Sequence, residues 1–137
     1  MADKRPVSAC CLIIGNEVLS GRTKDANLGW LAEKLTGMGI RLEEARVIPD
    51  LEEVIVKAVN ETRKKYTYVF TTGGIGPTHD DITSACVAKA FGVKIYRDPE
   101  AKALLESFIP AEKLNEARLK MADIPEGSVL VGNPVSK

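Results

Sequence analysis

Apolar positions along the chain switch repeatedly between the two-residue period of a strand and the 3.6-residue period of a helix. Residues 7–14 (VSACCLII) are a short, nearly unbroken apolar run ending at Gly15, which predicts a buried strand. A glycine-bounded loop, residues 15–21 (GNEVLSG), comes next. Leu28, Leu31, Ala32 and Leu35 then recur at helical spacing, with Asp25 or Asn27 as the cap and Gly37 and Gly39 as the stop. Trp30 reads as part of that helix's packing, with a place at the edge of a crevice as the alternative. Residues 40–48 alternate as a second strand that Pro49 ends. Asp50 and Glu53 make a capping-box pattern before a helix striped by Leu51, Val54, Ile55, Ala58 and Val59. Residues 66–71 (YTYVFT) predict a third strand.

The remaining pattern predicts a loop over residues 72–81 (TGGIGPTHDD), a helix over 82–91 stopped by Gly92, and a short strand over 93–96. Asp98-Pro99 is a cap followed by a first-turn proline, opening a helix through about Phe108. Pro110 interrupts it, residues 112–121 look helical again, and 128–131 look like a strand. Lys113, Arg118 and Lys120 read as the solvated face of that later helix. Strand–helix alternation implies an α/β fold, a three-layer sandwich with a mostly parallel twisted sheet. The whole chain, 1–137, reads as one domain. It ends at Lys137 without a closing helix, which leaves a minimal ending and a longer native chain as alternatives.

Composition narrows the function classes. Nineteen basic residues balance nineteen acidic ones, which argues against bulk-charge binding to nucleic acid or an acidic membrane. No apolar run is long enough for a signal core or a membrane span, so a cytoplasmic location is expected. Cys10, Cys11 and Cys86 show no Cys-x-x-Cys spacing, and His79 is the single histidine, so the thiols read as buried and inert and a structural zinc site is not expected.

The chemistry concentrates in three loops, each following a strand: residues 15–21, Pro49-Asp50, and 72–81. In a parallel sheet these share the carboxyl edge, and strand order 2-1-3 sets the first and third across a crevice with Asp50 beside them. Gly73, Gly74 and Gly76 let backbone N–H groups approach a ligand, Pro77 stiffens the exit, and a helix N-terminus follows. Thr71, Thr72, Thr78 and Thr83 add hydroxyl donors suited to phosphate. The loop is neither a Walker A motif nor a G-x-G-x-x-G fingerprint, which argues against an ordinary dinucleotide dehydrogenase. One of Asp80 and Asp81 is available to cap the helix; an adjacent pair of carboxylates otherwise suits a metal ion, a base edge or a pterin amine. Asp50 has the same choice, Glu17 can serve metal or ligand, and His79 reads as an exposed loop residue.

These segments resemble the molybdopterin-binding domain family of Mog and MoaB proteins, in its CinA-type branch. The markers are residues 15–21, Asp25-Ala26-Asn27, Ile48-Pro49-Asp50, residues 72–83 (TGGIGPTHDDIT) and Pro125-Glu126-Gly127 with Asn133-Pro134, so the likeness covers about Ser8 to Val135. The resemblance implies a ligand site for molybdopterin or a related phosphorylated nucleotide. Gly15, Glu17, Gly21, Thr72, Gly73, Gly74, Gly76, Pro77, Thr78, Asp80 and Thr83 would form it. In Mog-like proteins the positions matching Asp50 and Asp81 serve molybdopterin adenylylation or metal insertion, so these two are the expected catalytic residues. For the CinA-type branch the resemblance implies, as an alternative, divalent-metal-dependent cleavage of a pyrophosphate bond in ADP-ribose-like or FAD-like dinucleotides. Asp50, Asp80 and Asp81 would then hold Mg²⁺, Mn²⁺ or Co²⁺. It also implies a homo-oligomer, dimer or trimer. Full-length CinA carries a further deamidase domain past the position of Pro134, and deamidation is not expected of this stretch. Family members often carry a basic residue where His79 stands.

Overall fold

A computed structural model describes residues 6–133. Its centre is a parallel three-stranded sheet in the order β2-β1-β3, formed by β1 (Ser8–Ile14), β2 (Arg41–Ile48) and β3 (Tyr68–Thr72). The central strand β1 is buried on both faces, which explains why its sequence is continuously apolar rather than alternating. Cys10, Leu12 and Ile14 join one core cluster with Ile48, Ile55, Ala58, Val59, Tyr66, Cys86 and Ala90. Ala9, Cys11 and Ile13 point to the opposite face and are equally buried. The result is helix, sheet, helix: the expected α/β sandwich.

Helix α2 (Asn27–Gly37) crosses from β1 to β2 and packs on β2, while α3 (Glu52–Lys65) and α4 (Thr83–Phe91) pack on each other over the main core. In α3 the buried positions Ile55, Ala58, Val59 and Thr62 follow helical spacing, and the buried Thr62 hydroxyl donates to the Ala58 carbonyl at 2.7 Å. Glu52 and Glu53 in its first turn and Arg63, Lys64 and Lys65 in its last complement the helix dipole. Gly92, with φ of 67°, ends α4 in the left-handed conformation expected of it. Asp98 caps α5 (Pro99–Phe108), accepting the Ala101 N–H at 2.8 Å, as its Asp-Pro sequence predicts.

Several expectations are corrected. The 15–21 loop contains one helical turn, α1 (Asn16–Leu19). The helix expected over 112–121 is broken into a 3-10 turn at Ala111–Lys113, α6 (Glu116–Leu119) and a second turn at Lys120–Ala122, because Asn115 caps α6 by accepting the Arg118 N–H. The strand expected over 128–131 does not form; Val129 and Val131 are 87% and 91% exposed. The last strands instead make a separate antiparallel pair, β4 (Ile95–Arg97) with β5 (Asp123–Pro125). Trp30 is 63% exposed, with the Lys34 ammonium 5.6 Å from its ring centroid, rather than packed in the core. The three cysteines are free and buried, as expected. No helix among the described residues is long and apolar enough to cross a membrane. The expected ending over 134–137 lies outside the described residues.

Candidate functional site

Order β2-β1-β3 brings the three predicted loops to one edge. The Gly15 N–H donates to the Ile48 carbonyl at 3.0 Å, tying the end of β1 to the end of β2. The Asn16 N–H donates to the Asp50 carboxylate at 3.3 Å. On the other side Gly73, with φ of 88°, lies so close to β1 that a Cβ there would stand 2.0 Å from the Ile14 carbonyl oxygen. Only a residue without a side chain allows this contact, so the glycine loop seats directly on the strand that carries Gly15.

The predicted residues divide by what they do. Glu17 folds its carboxylate back over Gly15, where an added Cβ would meet it at 2.5 Å. Gly21 is a left-handed turn residue with open space around it. Thr72 ends β3 opposite Ile13. Thr83 is buried, and its hydroxyl donates to the Gly73 carbonyl at 2.9 Å while its N–H donates to the Gly74 carbonyl at 3.1 Å. It is therefore a brace for the loop and not the free hydroxyl donor expected. Pro77 is exposed at the loop's outer turn. Neither Asp80 nor Asp81 caps α4: that helix starts after Ile82 without a side-chain cap. Nor does Asp50 cap α3, whose cap position is Leu51, so the capping box with Glu53 is not formed.

Asp81 turns inward instead. Its carboxylate accepts the Thr78 N–H at 2.9 Å and the Thr78 hydroxyl at 2.8 Å, and it rests against Gly76. Burial alone pushes this carboxyl upward. The Thr78 hydroxyl and N–H, the Gly76 N–H and the nearby Lys120 charge outweigh that effect and hold it below the usual carboxylate range. Two of the backbone donors expected for ligand phosphate, at Gly76 and Thr78, are thus directed to Asp81. The N–H groups of Gly74 and Ile75 make no hydrogen bond to other described residues.

Asp80 points to solvent, its carboxylate 3.3 Å from His79 Nε2. Among the described residues no three His, Cys, Asp or Glu side chains gather into a group able to hold a metal ion. The expected metal trio of Asp50, Asp80 and Asp81 is not assembled, because the first faces Asn16, the second faces solvent and the third faces its own loop.

One residue at this site escaped the sequence analysis. Lys120, expected on a solvated helix face, lies in the 3-10 turn before β5 and donates to the Thr78 carbonyl at 2.8 Å. With Gly74, Gly76, Asp81 and Ser84 it lines a pocket of about 230 Å³ between the glycine loop and the small antiparallel sheet. Nothing in the local pattern around Lys120 marks it; only the tertiary path of residues 97–123 does.

A family model described as "Probable molybdopterin binding domain" matches residues 10–135. The chain belongs to the molybdopterin-binding domain family. Within it, CinA-like members are similar to this domain. The crystal structure of CinA from Thermoplasma acidophilum is 32% identical with a TM-score of 0.88, covering 95% of this chain and 77% of that one. A CinA-like protein of Syntrophus aciditrophicus is 38% identical over 126 residues, covering 90% of this chain and 30% of the relative. A protein of Pyrobaculum calidifontis is 40% identical over 130 residues, covering 93% of this chain. This molybdopterin-binding domain spans about half the length of such archaeal relatives. The tungsten-cofactor-synthesizing MoaB of Pyrococcus furiosus, 21% identical with a TM-score of 0.59 over 79% of this chain and 67% of that one, shares the fold.

Proposed function

We propose that this domain binds a phosphate-bearing pterin or nucleotide at the carboxyl edge of its parallel sheet, with phosphate on the 73–78 loop. The observation that carries this reading is the pair of N–H groups at Gly74 and Ile75, which are unengaged by other described residues. They lie in a loop whose glycines leave the backbone open to a ligand. The loop is braced beforehand by Thr83 and Asp81, so its donors need little reorganisation on binding. Asp50, held by a single long hydrogen bond on the Gly15 side, is available to accept from a ring or ribose donor. The family description supports a pterin, and the same donors suit the phosphates of ADP-ribose or FAD. The reading proposed is binding, which these donors carry; among the described residues Asp50, Asp80 and Asp81 do not gather into a group able to hold a metal ion.

Thermal unfolding with AMP, ADP-ribose, FAD and a phosphorylated pterin tests this. A ligand at 100 times its Kd stabilises the native state by about 2.7 kcal/mol, which raises Tm by several degrees. No shift with any of the four would sink the proposal.

A further inference from the structure

Lys120 reaches the glycine loop from forty-two residues away in sequence. The segment that carries it is fixed downstream. Ala122 is fully buried and its carbonyl accepts the Asp98 N–H at 2.9 Å; Asp123 is paired with Arg97 across the small sheet, also at 2.9 Å. Immobilising a lysine side chain costs roughly 2 kcal/mol of rotamer entropy. A hydrogen bond to a neutral carbonyl returns about 1 kcal/mol. The Thr78 contact therefore does not by itself account for Lys120 lying over the loop. Asp81 attracts it through space, but that carboxylate is already engaged by Thr78. Lys120 pairs with no carboxylate among the described residues.

The pocket beneath Lys120 has anion chemistry. Gly74 and Ile75 contribute free N–H groups, Ser84 a hydroxyl, and Lys120 an ammonium. Two carboxylates also line it: Asp123 is neutralised by Arg97, and Asp81 is turned to the donors of Thr78 and Gly76. Its volume of about 230 Å³ is below the roughly 300–1,000 Å³ that encloses a drug-sized ligand. It fits the phosphoryl part of a dinucleotide and leaves the rings outside.

Resting on the ligand-binding function proposed above, we propose that Lys120 is the residue that selects a diphosphate over a monophosphate. One phosphoryl group sits on the Gly74 and Ile75 N–H groups, and the second takes the Lys120 ammonium from the Thr78 carbonyl. The ligand class is a diphosphate ester. Exchange of a neutral carbonyl acceptor for an anionic phosphoryl oxygen strengthens the lysine's hydrogen bond.

The test is calorimetric binding of AMP, ADP-ribose and inorganic pyrophosphate to the full 137-residue chain and to its Lys120→Met and Lys120→Arg variants. Wild type is expected to bind ADP-ribose about tenfold more tightly than AMP. Lys120→Met should erase that preference and weaken pyrophosphate, while Lys120→Arg keeps both. A purely structural lysine would weaken AMP and ADP-ribose alike, so an unchanged ratio in Lys120→Met overturns the assignment and leaves the ligand-binding function intact. Failure of wild type to bind any of the three overturns the Lys120 assignment, and the ligand-binding function falls with it only where FAD and the phosphorylated pterin also leave Tm unchanged.

Discussion

The Thr83 hydroxyl oxygen occupies the space beside Gly74, where an added Cβ would stand 2.2 Å away. Gly74 also has φ of 68°, a conformation that costs an L-residue roughly 1–2 kcal/mol. Gly74→Ala should therefore destabilise the domain by about 3 kcal/mol once overpacking is included. Thr83→Ala alone should cost about 1–3 kcal/mol by leaving the Gly73 carbonyl without its donor. Because Thr83→Ala also removes the atom that Gly74→Ala would strike, the double variant should cost less than the sum. Urea denaturation of all four proteins measures this coupling.

Asp81 gives a pH signature. Its folded pKa lies below the ordinary 3.8, so the stability it adds is fully present above that value and is lost as pH falls through the folded value. Asp81→Asn should lower stability near pH 7 by about 1 kcal/mol, by weakening charge-assisted bonds from Thr78. The wild-type and variant curves should converge below about pH 3.8. Melting curves from pH 7 to pH 2 check it; a constant gap across that range contradicts the assignment.

Asp50 and Asp98 separate binding from capping. Asp98→Ala should cost about 1 kcal/mol because it removes the α5 cap. Asp50→Ala should cost less than about 0.5 kcal/mol, since it caps no helix, yet it should weaken ligand binding. Parallel denaturation and binding titrations distinguish the two effects.

The cysteines should be silent in the native state. Burial, aided by Glu44, pushes the Cys10 thiol up to about 11, and burial also raises Cys11 and Cys86. Iodoacetamide at pH 8 should label none of the three before unfolding and all of them after it, as read by intact mass.

The main sheet was legible because the β1 run, the helix α3 stripe and the Gly92 stop each depend on local pattern alone. The edge shared by the three loops followed from topology, and the contact of Gly73 with Ile14 bears that out. Side-chain direction was not legible in the same way. Asp50, Asp80 and Asp81 each had two or three local partners within reach, and the choice rested on where Asn16, solvent and Thr78 lay after folding. The helix over 112–121 failed for a related reason: Asn115 competes for backbone in the middle of an otherwise suitable period. Lys120 was missed because its partner is distant in sequence.

The central position of β1 also orders events during synthesis. Ala9 pairs with Leu42 on one side and with Tyr68 on the other, so the first strand waits for the third. Until residue 72 has been made, the seven-residue strand β1, apolar from Ala9 onward, has one edge with no mate. The nascent domain thus carries one open edge of its most apolar strand until about half of the chain is made, and any delay there exposes that edge to self-association or chaperone capture.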